Sequence, residues 1–165
     1  MITEGDINIR TIEERDLKVI YEFNSQKTRG NYQEFQFESF RKLQLEYEKD
    51  GFCSSEFQIL NVEKKEDQTI GLLYLSFYRQ GIVRIGLVLS SDNCNKGNGT
   101  VVLNLIVKYI FENYPIVRIE ADTDVENIIA QKVLQKAGFL REGTLRKYRY
   151  HHGTYHDSYI YSIIK

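Results

Sequence analysis

One stretch of the chain, residues 82–107, constrains the fold more than any other. It begins with Ile82–Leu89, a mostly apolar run rich in β-branched side chains, which is typical of a strand covered on both faces. A polar loop with two glycines, residues 90–99, follows. From Thr100 to Glu112 polar side chains recur every four residues, which predicts a long helix with one narrow wet face. The stretch therefore predicts a strand, a glycine-containing loop and a buried helix in direct succession.

The glycine-containing loop is suited to binding an anion. The first turn of a helix leaves backbone N–H groups without partners, and the helix dipole places about half a positive charge there. Gly97 and Gly99 have no side chain, so a phosphate can approach the backbone closely, and Lys96 adds a mobile positive charge. The segment from Asn95 to Thr100 therefore predicts a phosphate or pyrophosphate site.

Two common phosphate-binding motifs do not match this loop. It lacks the G-x-x-x-x-G-K-[ST] pattern of a P-loop. A dinucleotide fingerprint would need a third small residue where Val102 stands, and it would follow the first strand rather than the fourth. A turn that uses glycine only for its geometry is the alternative interpretation.

Composition argues against several classes of function. The 165 residues carry a net charge of −1, so no basic excess indicates nucleic acid. No apolar run is long enough to span a membrane, and the acidic N-terminus does not resemble a signal peptide. Cys53 and Cys94 are not at metal-ligand spacing, which favours a reduced, cytoplasmic setting. With no linker or repeat, residues 1–165 are expected to form a single domain.

The periodicity of the whole chain predicts the order β-α-α-β-β-β-α-β-α-β-β, an α/β arrangement with one mixed sheet and helices on both faces. Ser39 and Asp124 are predicted helix N-caps, and Gly51 and Gly138 are predicted helix ends. The predicted strands cover residues 6–11, 57–62, 69–79, 82–89, 117–122, 140–150 and 155–164, and the predicted helices cover residues 12–24, 40–49, the segment from residue 100, and 125–137.

Four motifs in this order resemble the Gcn5-related N-acetyltransferase (GNAT) superfamily over essentially the whole chain. The closest resemblance is to its ribosomal-protein-alanine/serine acetyltransferase-like branch. The motifs are Ile9-Arg10 with Asp16-Leu17; Ile85-Gly86-Leu87-Val88-Leu89; the loop, which resembles Arg/Gln-x-x-Gly-x-Gly/Ala; and Asn127 with Gly138-Phe139, Glu142-Gly143, Leu145-Arg146, Asp157 and Tyr161-Ser162.

The resemblance implies a mostly antiparallel sheet of about seven strands that splays between strands 4 and 5 and binds acetyl-CoA there. The pantetheine arm would pair with Leu87, Val88 and Leu89, and an N–H near Leu89 would polarise the thioester carbonyl. Asn127 and Ala130 would lie near the pantetheine. The CoA pyrophosphate would be held by the loop, which comprises Cys94, Asn95, Lys96, Gly97, Asn98, Gly99 and Thr100.

The implied reaction is direct attack of a primary amine on the thioester, without an acyl-enzyme. The acceptor could be a protein N-terminus, a polyamine, an amino sugar or an antibiotic, and a homodimer is a further expectation. Three positions depart from the family pattern: Cys94 replaces Arg or Gln, Ala130 replaces a common Ser, and Leu134 replaces the tyrosine that protonates the leaving thiolate. These losses motivate an alternative function, a non-catalytic acyl-CoA-binding module with the same fold.

An amine acceptor requires a proton acceptor, since an alkyl ammonium with a pKa near about 10 cannot attack. Glu120 is the first candidate and Asp122 the second, and strand alternation places both on one face. Solvated carboxylates at the edge of the sheet are the equally weighted alternative. Arg84 stands where relatives often carry an acid, which weakens a two-carboxylate scheme.

The irregular segment after the first helix covers the acceptor site in relatives, so Tyr32, Glu34 and Phe37 are candidate substrate contacts, together with Tyr148. An ordinary loop is the alternative. The three histidines, His151, His152 and His156, flank a predicted turn. No carboxylate or cysteine stands at ligand spacing beside them, so we expect a wet turn and no metal.

Overall fold

The computed structural model describes residues 1–24, 31–32, 37–64 and 68–165, which form eight strands and four α-helices. The strands are β1 (Ile2–Glu4), β2 (Ile7–Thr11), β3 (Phe57–Lys64), β4 (Gln68–Arg79), β5 (Ile82–Leu89), β6 (Arg118–Asp124), β7 (Leu140–His151) and β8 (Thr154–Ile164). The helices are α1 (Leu17–Phe23), α2 (Phe40–Asp50), α3 (Asn98–Asn113) and α4 (Ile128–Lys136), with short 3-10 turns at Glu14–Asp16 and Ser91–Asn93.

All eight strands belong to one sheet in the order β1-β2-β3-β4-β5-β6-β8-β7. Only the β5–β6 pair is parallel, so the prediction of a mixed, mostly antiparallel α/β sheet with flanking helices is confirmed. The eighth strand is β1, a three-residue edge strand that is too short to show a period in the sequence.

The two faces of the sheet are covered differently. Helices α3 and α4 pack on one face and form the larger core with β2 to β6 and β8, where Ile106 and Ile110 of α3 are fully buried. Helices α1 and α2 cover the other face above β3 and β4, with Ile20 and Leu43 in a second core. The part of this second face that lies above β5, β6 and β8 carries mainly polar side chains, among them Arg84, Glu120, Asp122, Asp124 and Ser158. We call it the acceptor face, after the acceptor site that the family resemblance implies.

Three of the four predicted helix boundaries are confirmed and one was wrong. The Ser39 side chain accepts a hydrogen bond from the Lys42 N–H and begins α2, and Gly51, with a positive φ, ends it. Gly138 also has a positive φ and follows α4. The N-cap of α4 is Asn127, not Asp124, because Asp124 is still in β6 and its carboxylate has other partners.

A buried ion cluster joins the first strand pair to the helix that follows. Arg10 of β2 donates to both carboxylate oxygens of Asp16, at 2.6 and 3.1 Å, and to Glu63 of β3 at 2.9 Å. All three side chains are largely buried, and these contacts hold the pKa of Asp16 below its usual value although burial alone would raise it. The cluster therefore fixes the start of α1 against the sheet.

Replacing Arg10 by methionine should leave two buried carboxylates without their cation. We expect Arg10→Met to reduce the free energy of unfolding by about 3–5 kcal/mol, measured by urea denaturation. The matched control is Arg41→Met, because Arg41 is exposed and faces an exposed Glu48 at 3.5 Å, so its loss should cost at most about 0.5 kcal/mol. Equal effects of the two substitutions would contradict this account of the cluster.

Candidate functional site

The parallel strands β5 and β6 pair over only three residues and then separate. Their register covers residues 82–84 of β5 and 118–120 of β6, although both strands continue for several residues beyond it. The gap that opens is the splay between strands 4 and 5 of the predicted order. Because β4 pairs with β5 up to Leu89, only the β6 side of β5 is left without a neighbouring strand.

The direction of the backbone groups along β5 decides which of them face this gap. The Ser90 N–H donates to the Ile70 carbonyl of β4 at 2.9 Å. In an antiparallel ladder this direction alternates, so Val88 also points its backbone towards β4, whereas Leu87 and Leu89 point theirs into the gap. Two of the three residues predicted to pair with pantetheine are therefore oriented for it, and the Val88 backbone is not.

The loop at the end of the gap presents five consecutive backbone amides. The Cys94 N–H donates to the Ser91 carbonyl at 3.2 Å and the Thr100 N–H donates to the Gly97 carbonyl at 3.1 Å. The amides at both ends of the predicted pyrophosphate-binding loop, residues 94–100, which we call the cradle, are therefore already paired. Within the part of the chain that the structure describes, no backbone carbonyl accepts from the N–H groups of residues 95–99. These five amides lie at the N-terminus of α3, where a helix favours an anion.

The two glycines of the loop have different roles. Gly97 is exposed, has a φ of +82°, and a side chain at its Cβ position would meet no atom within 4 Å. Gly99 is buried, and a Cβ there would lie 3.1 Å from the Val133 side chain of α4. Gly97 therefore shapes the open cradle, whereas Gly99 allows close packing of α3 on α4.

The Cys94 thiol is not an activated nucleophile. Its sulfur lies 3.4 Å from the Ser90 carbonyl oxygen and 3.8 Å from that of Leu89. Burial raises the pKa of the Cys94 thiol, which disfavours the thiolate. The neighbouring Asn95 and Lys96 are exposed, while Asn98 is buried and its side chain donates to the Asn93 carbonyl at 3.0 Å. Cys94 and Asn98 thus stabilise the loop from inside.

Helix α4 forms the other wall at the end of β6. Asn127 accepts a hydrogen bond from the Ala130 N–H at 3.1 Å, so its side-chain oxygen serves as the helix cap. Leu134 is buried in the larger core and supplies no acid. The sequence period predicts one apolar stripe on this helix from Val125, Ile128, Ile129 and Val133. The stripe is wrong at Ile128 and Ile129, which are 53% and 52% exposed on the first turn.

The acceptor face carries three carboxylates from β6, each bonded to a cationic or imidazole side chain. Glu120 is bonded to Arg84, Arg118 and Tyr78, Asp122 accepts from Arg149 at 2.6 Å, and Asp124 lies 2.7 Å from the Nε2 atom of His151. Strand alternation predicted one face for Glu120 and Asp122. Their partners come from β4, β5, β7 and β6 itself, and the sequence gives no local sign of them.

The surroundings of Glu120 disfavour it as a base. It is only 8% exposed, and hydrogen bonds from Tyr78 at 2.5 Å, Arg118 at 2.7 Å and Arg84 at 3.2 Å hold its pKa below the usual value, although burial alone would raise it. Glu120 and Arg84 also form the last paired position before β5 and β6 separate. The Glu120 carboxylate thus holds β6 to β5 at the point where the gap begins, and we call this role a clamp.

The candidate acceptor contacts fall in different places. The Tyr148 hydroxyl accepts from Arg84 at 2.8 Å, which places it on the acceptor face. Tyr32 lies there too, with its hydroxyl 3.3 Å from the Glu126 carbonyl and its ring edge-on to His151. Phe37 is 97% exposed, and Glu34 lies outside the described residues.

The expectation of a wet turn with no carboxylate was wrong for His151. The turn is where predicted, with positive φ at both His152 and Gly153, but His151 itself is 5% exposed. Its ring stacks on that of His156 at 3.8 Å, and Asp124 brings a carboxylate to both. The sequence concealed this group because Asp124 lies 27 residues before His151 and on another strand.

Comparison with known proteins places this geometry in a family. The chain is 35% identical to the N-acetyltransferase YoaA of Bacillus subtilis over 81 residues, which is 49% of this chain and 46% of that protein. It is 26% identical to the spermidine N(1)-acetyltransferase of Vibrio cholerae over 156 residues, 93% and 90% of the two chains. No described helix is long and apolar enough to cross a membrane.

A crystal structure of spermidine N-acetyltransferase from Vibrio cholerae, in complex with CoA and spermine, has the same fold. It superposes with a TM-score of 0.88 at 24% identity and covers 98% of this chain and 96% of the other. The sequence profile of the acetyltransferase (GNAT) domain matches residues 6–140, more than three quarters of the chain. The protein therefore belongs to the GNAT family of acetyltransferases.

Proposed function

We propose that this protein transfers the acetyl group of acetyl-CoA directly to a primary amine, as a single cytoplasmic domain. The observation that carries the proposal is the gap between β5 and β6, which leads to the amides of residues 95–99, for which no backbone carbonyl of the described residues is a partner. Pantetheine is an extended chain with two amides, so it can take the place of a strand, while the pyrophosphate occupies the start of α3.

The chemistry follows from the groups that border the gap. An N–H of Leu87 or Leu89 is oriented to hydrogen-bond the thioester oxygen, where negative charge grows as the amine attacks. The acetyl group passes straight to the amine, because the Cys94 thiol is engaged with backbone carbonyls and its pKa is raised by burial. Leu134 offers no acid, so the departing CoA thiolate takes its proton from the amine or from water.

Polyamines are the first acceptors to test, because relatives named for spermidine share 26% identity over nearly the whole chain. The charge on the acceptor face does not select among amines. Its three carboxylates are balanced by Arg84, Arg118 and Arg149, and His151 adds a further partner. A panel of spermidine, an amino sugar, an aminoglycoside and an alanine-terminated peptide, read by thiol release, covers the four acceptor classes.

A homodimer stays a prediction that light scattering can decide. The edge strand β7 leaves exposed aromatic side chains, and Tyr150 packs on Tyr155 of β8 with ring centroids 5.0 Å apart. Such an edge is the part of a sheet that commonly pairs with another chain.

The cradle assignment predicts how acetyl-CoA affinity responds to a charge at Gly97. Asp and Asn both tolerate the left-handed conformation of this position, and they have nearly the same shape. We expect Gly97→Asp to weaken acetyl-CoA binding at least about tenfold more than Gly97→Asn, because the carboxylate would face the pyrophosphate. Calorimetric titration with acetyl-CoA, repeated with free CoA as competitor, measures this difference. Equal affinities of the two variants, or no binding by the wild type, would remove the cradle.

The clamp interpretation of Glu120 predicts a stability defect rather than a loss of proton transfer. Glu120→Gln should reduce the unfolding free energy by about 1–3 kcal/mol, since two arginines lose a buried partner, and should leave kcat within about tenfold of the wild type. Glu142→Gln is the matched control, because Glu142 also pairs with Arg118 but is exposed. A folded Glu120→Gln protein with kcat reduced by about 100-fold or more would restore Glu120 as the base.

A further inference from the structure

A buried Asp–His pair on the acceptor face has no part in acetyl-CoA binding as described above. An oxygen of Asp124 lies 2.7 Å from the Nε2 atom of His151, and the two residues are 1% and 5% exposed. Asp124 also accepts the Glu126 N–H at 2.8 Å, and these hydrogen bonds keep the pKa of Asp124 below its usual value against the effect of burial. The carboxylate is therefore ionised and can only accept, so the His151 proton is assigned to Nε2.

The position of the pair along the gap follows from the strand register. Arg84 and Glu120 are the last paired residues of the parallel strands. Val88 lies four residues beyond Arg84, and Asp124 lies four residues beyond Glu120, so the two are level across the gap and their side chains share the acceptor face. Asp124 is thus level with the backbone that would bind the thioester, and His151 of β7 is bonded to it.

The second ring nitrogen of His151 is the notable feature of this pair. Nδ1 is buried and, among the described residues, has no hydrogen-bond partner. With Nε2 carrying the proton, Nδ1 is a bare acceptor, and a buried acceptor without a donor is destabilising. The ring is held in place by Asp124 on one side and by His156, stacked on it at 3.8 Å and 10°. Such an arrangement suits a donor that arrives with a ligand.

We propose that His151 is the general base that takes a proton from the acceptor ammonium, with Asp124 as its positioning residue. This inference rests on the proposed function. Nδ1 removes one proton from the ammonium and later releases it to solvent, so the free amine can attack the acetyl carbon. A C–N bond forms, the C–S bond breaks, and its electron pair leaves on sulfur. The second N–H proton of the adduct passes to that sulfur, which gives an amide and CoA thiol.

The groups around His151 support this assignment over the carboxylates nearby. Asp124 faces it from β6, His156 from β8, His152 from the turn that follows β7, and Tyr32 from the segment before α2. Arg149, two residues earlier on β7, is neutralised by Asp122. The carboxylates of Glu120 and Asp122 are occupied by arginines, whereas His151 has an anion at one ring nitrogen and no hydrogen-bond partner among the described residues at the other. Tyr32, a predicted acceptor contact, lies on the same ring.

The test compares identical substitutions at neighbouring histidines. We expect His151→Gln to lower kcat by about 100-fold or more, with the affinity for acetyl-CoA unchanged by calorimetry and the fold intact by thermal unfolding. His152→Gln is the control, because His152 is exposed at the turn and should stay within about threefold of the wild type. A His151→Gln enzyme with kcat within about threefold of the wild type would overturn the proposal.

The pH dependence separates a base from a merely structural side chain. The wild type should show an acid limb in the pH profile of kcat/KM, and His151→Gln should lack it. Asp124→Asn keeps the size of the side chain but removes its charge, so it should also change this acid limb if Asp124 positions the base. An acid limb that survives unchanged in both variants would assign the proton transfer elsewhere.

Two further outcomes keep this inference separate from the proposed function. If the wild type binds acetyl-CoA but acetylates no amine in the panel, the proposed function fails, and nitrogen NMR of the His151 ring still tests the pair. A neutral ring protonated at Nε2 supports the assignment, and one protonated at Nδ1 overturns it.

Asp124, His151 and His156 offer ligand atoms within 4.8 Å of one another. Activity that requires added Zn²⁺ or Mn²⁺ after dialysis against EDTA would assign them to a metal instead.

Discussion

The site depends on the end of pairing between the parallel strands β5 and β6, which form no further pairs beyond residues 84 and 120. Backbone groups inside a protein need hydrogen-bond partners, so an interrupted parallel pair next to a large core requires an explanation. Here Glu120, Arg84 and Arg118 fix the point of separation, and α3 and α4 support the two diverging ends. The sheet thereby keeps a slot whose free edge is formed by the Leu87 and Leu89 backbone.

Most of the fold could be predicted from patterns that are local in the sequence. The apolar run of β5, the four-residue polar period of α3 and the cap at Ser39 are each decided by neighbours in sequence, and the structure has them close to where they were predicted. The same locality explains two errors. An Asp before an apolar run resembles a helix cap, yet Asp124 ends β6 because His151 and the Glu126 N–H use its carboxylate. Ile128 and Ile129 repeat like core residues but begin a helix at the open end of the gap.

The candidate site was less predictable because its interactions join distant segments. The sequence does not distinguish the roles of Gly97 and Gly99. In the structure Gly97 leaves the cradle open to a ligand, whereas Gly99 packs against Val133. The sequence position of Glu120 suits a base, but hydrogen bonds from two arginines and a tyrosine occupy its carboxylate. The role we propose for His151 depends on the pairing of β6 with β8 and of β8 with β7, which no spacing rule contains.

We propose that acetyl-CoA completes the interrupted sheet, and residue-resolved amide hydrogen exchange can detect this at each backbone N–H. On addition of acetyl-CoA, the N–H groups of Leu87 and Leu89 and of residues 95–99 should exchange at least about tenfold more slowly, whereas that of Val88, which already points to β4, should change little. Binding without added protection at Leu87 and Leu89 would contradict the claim and would place the cofactor outside the gap.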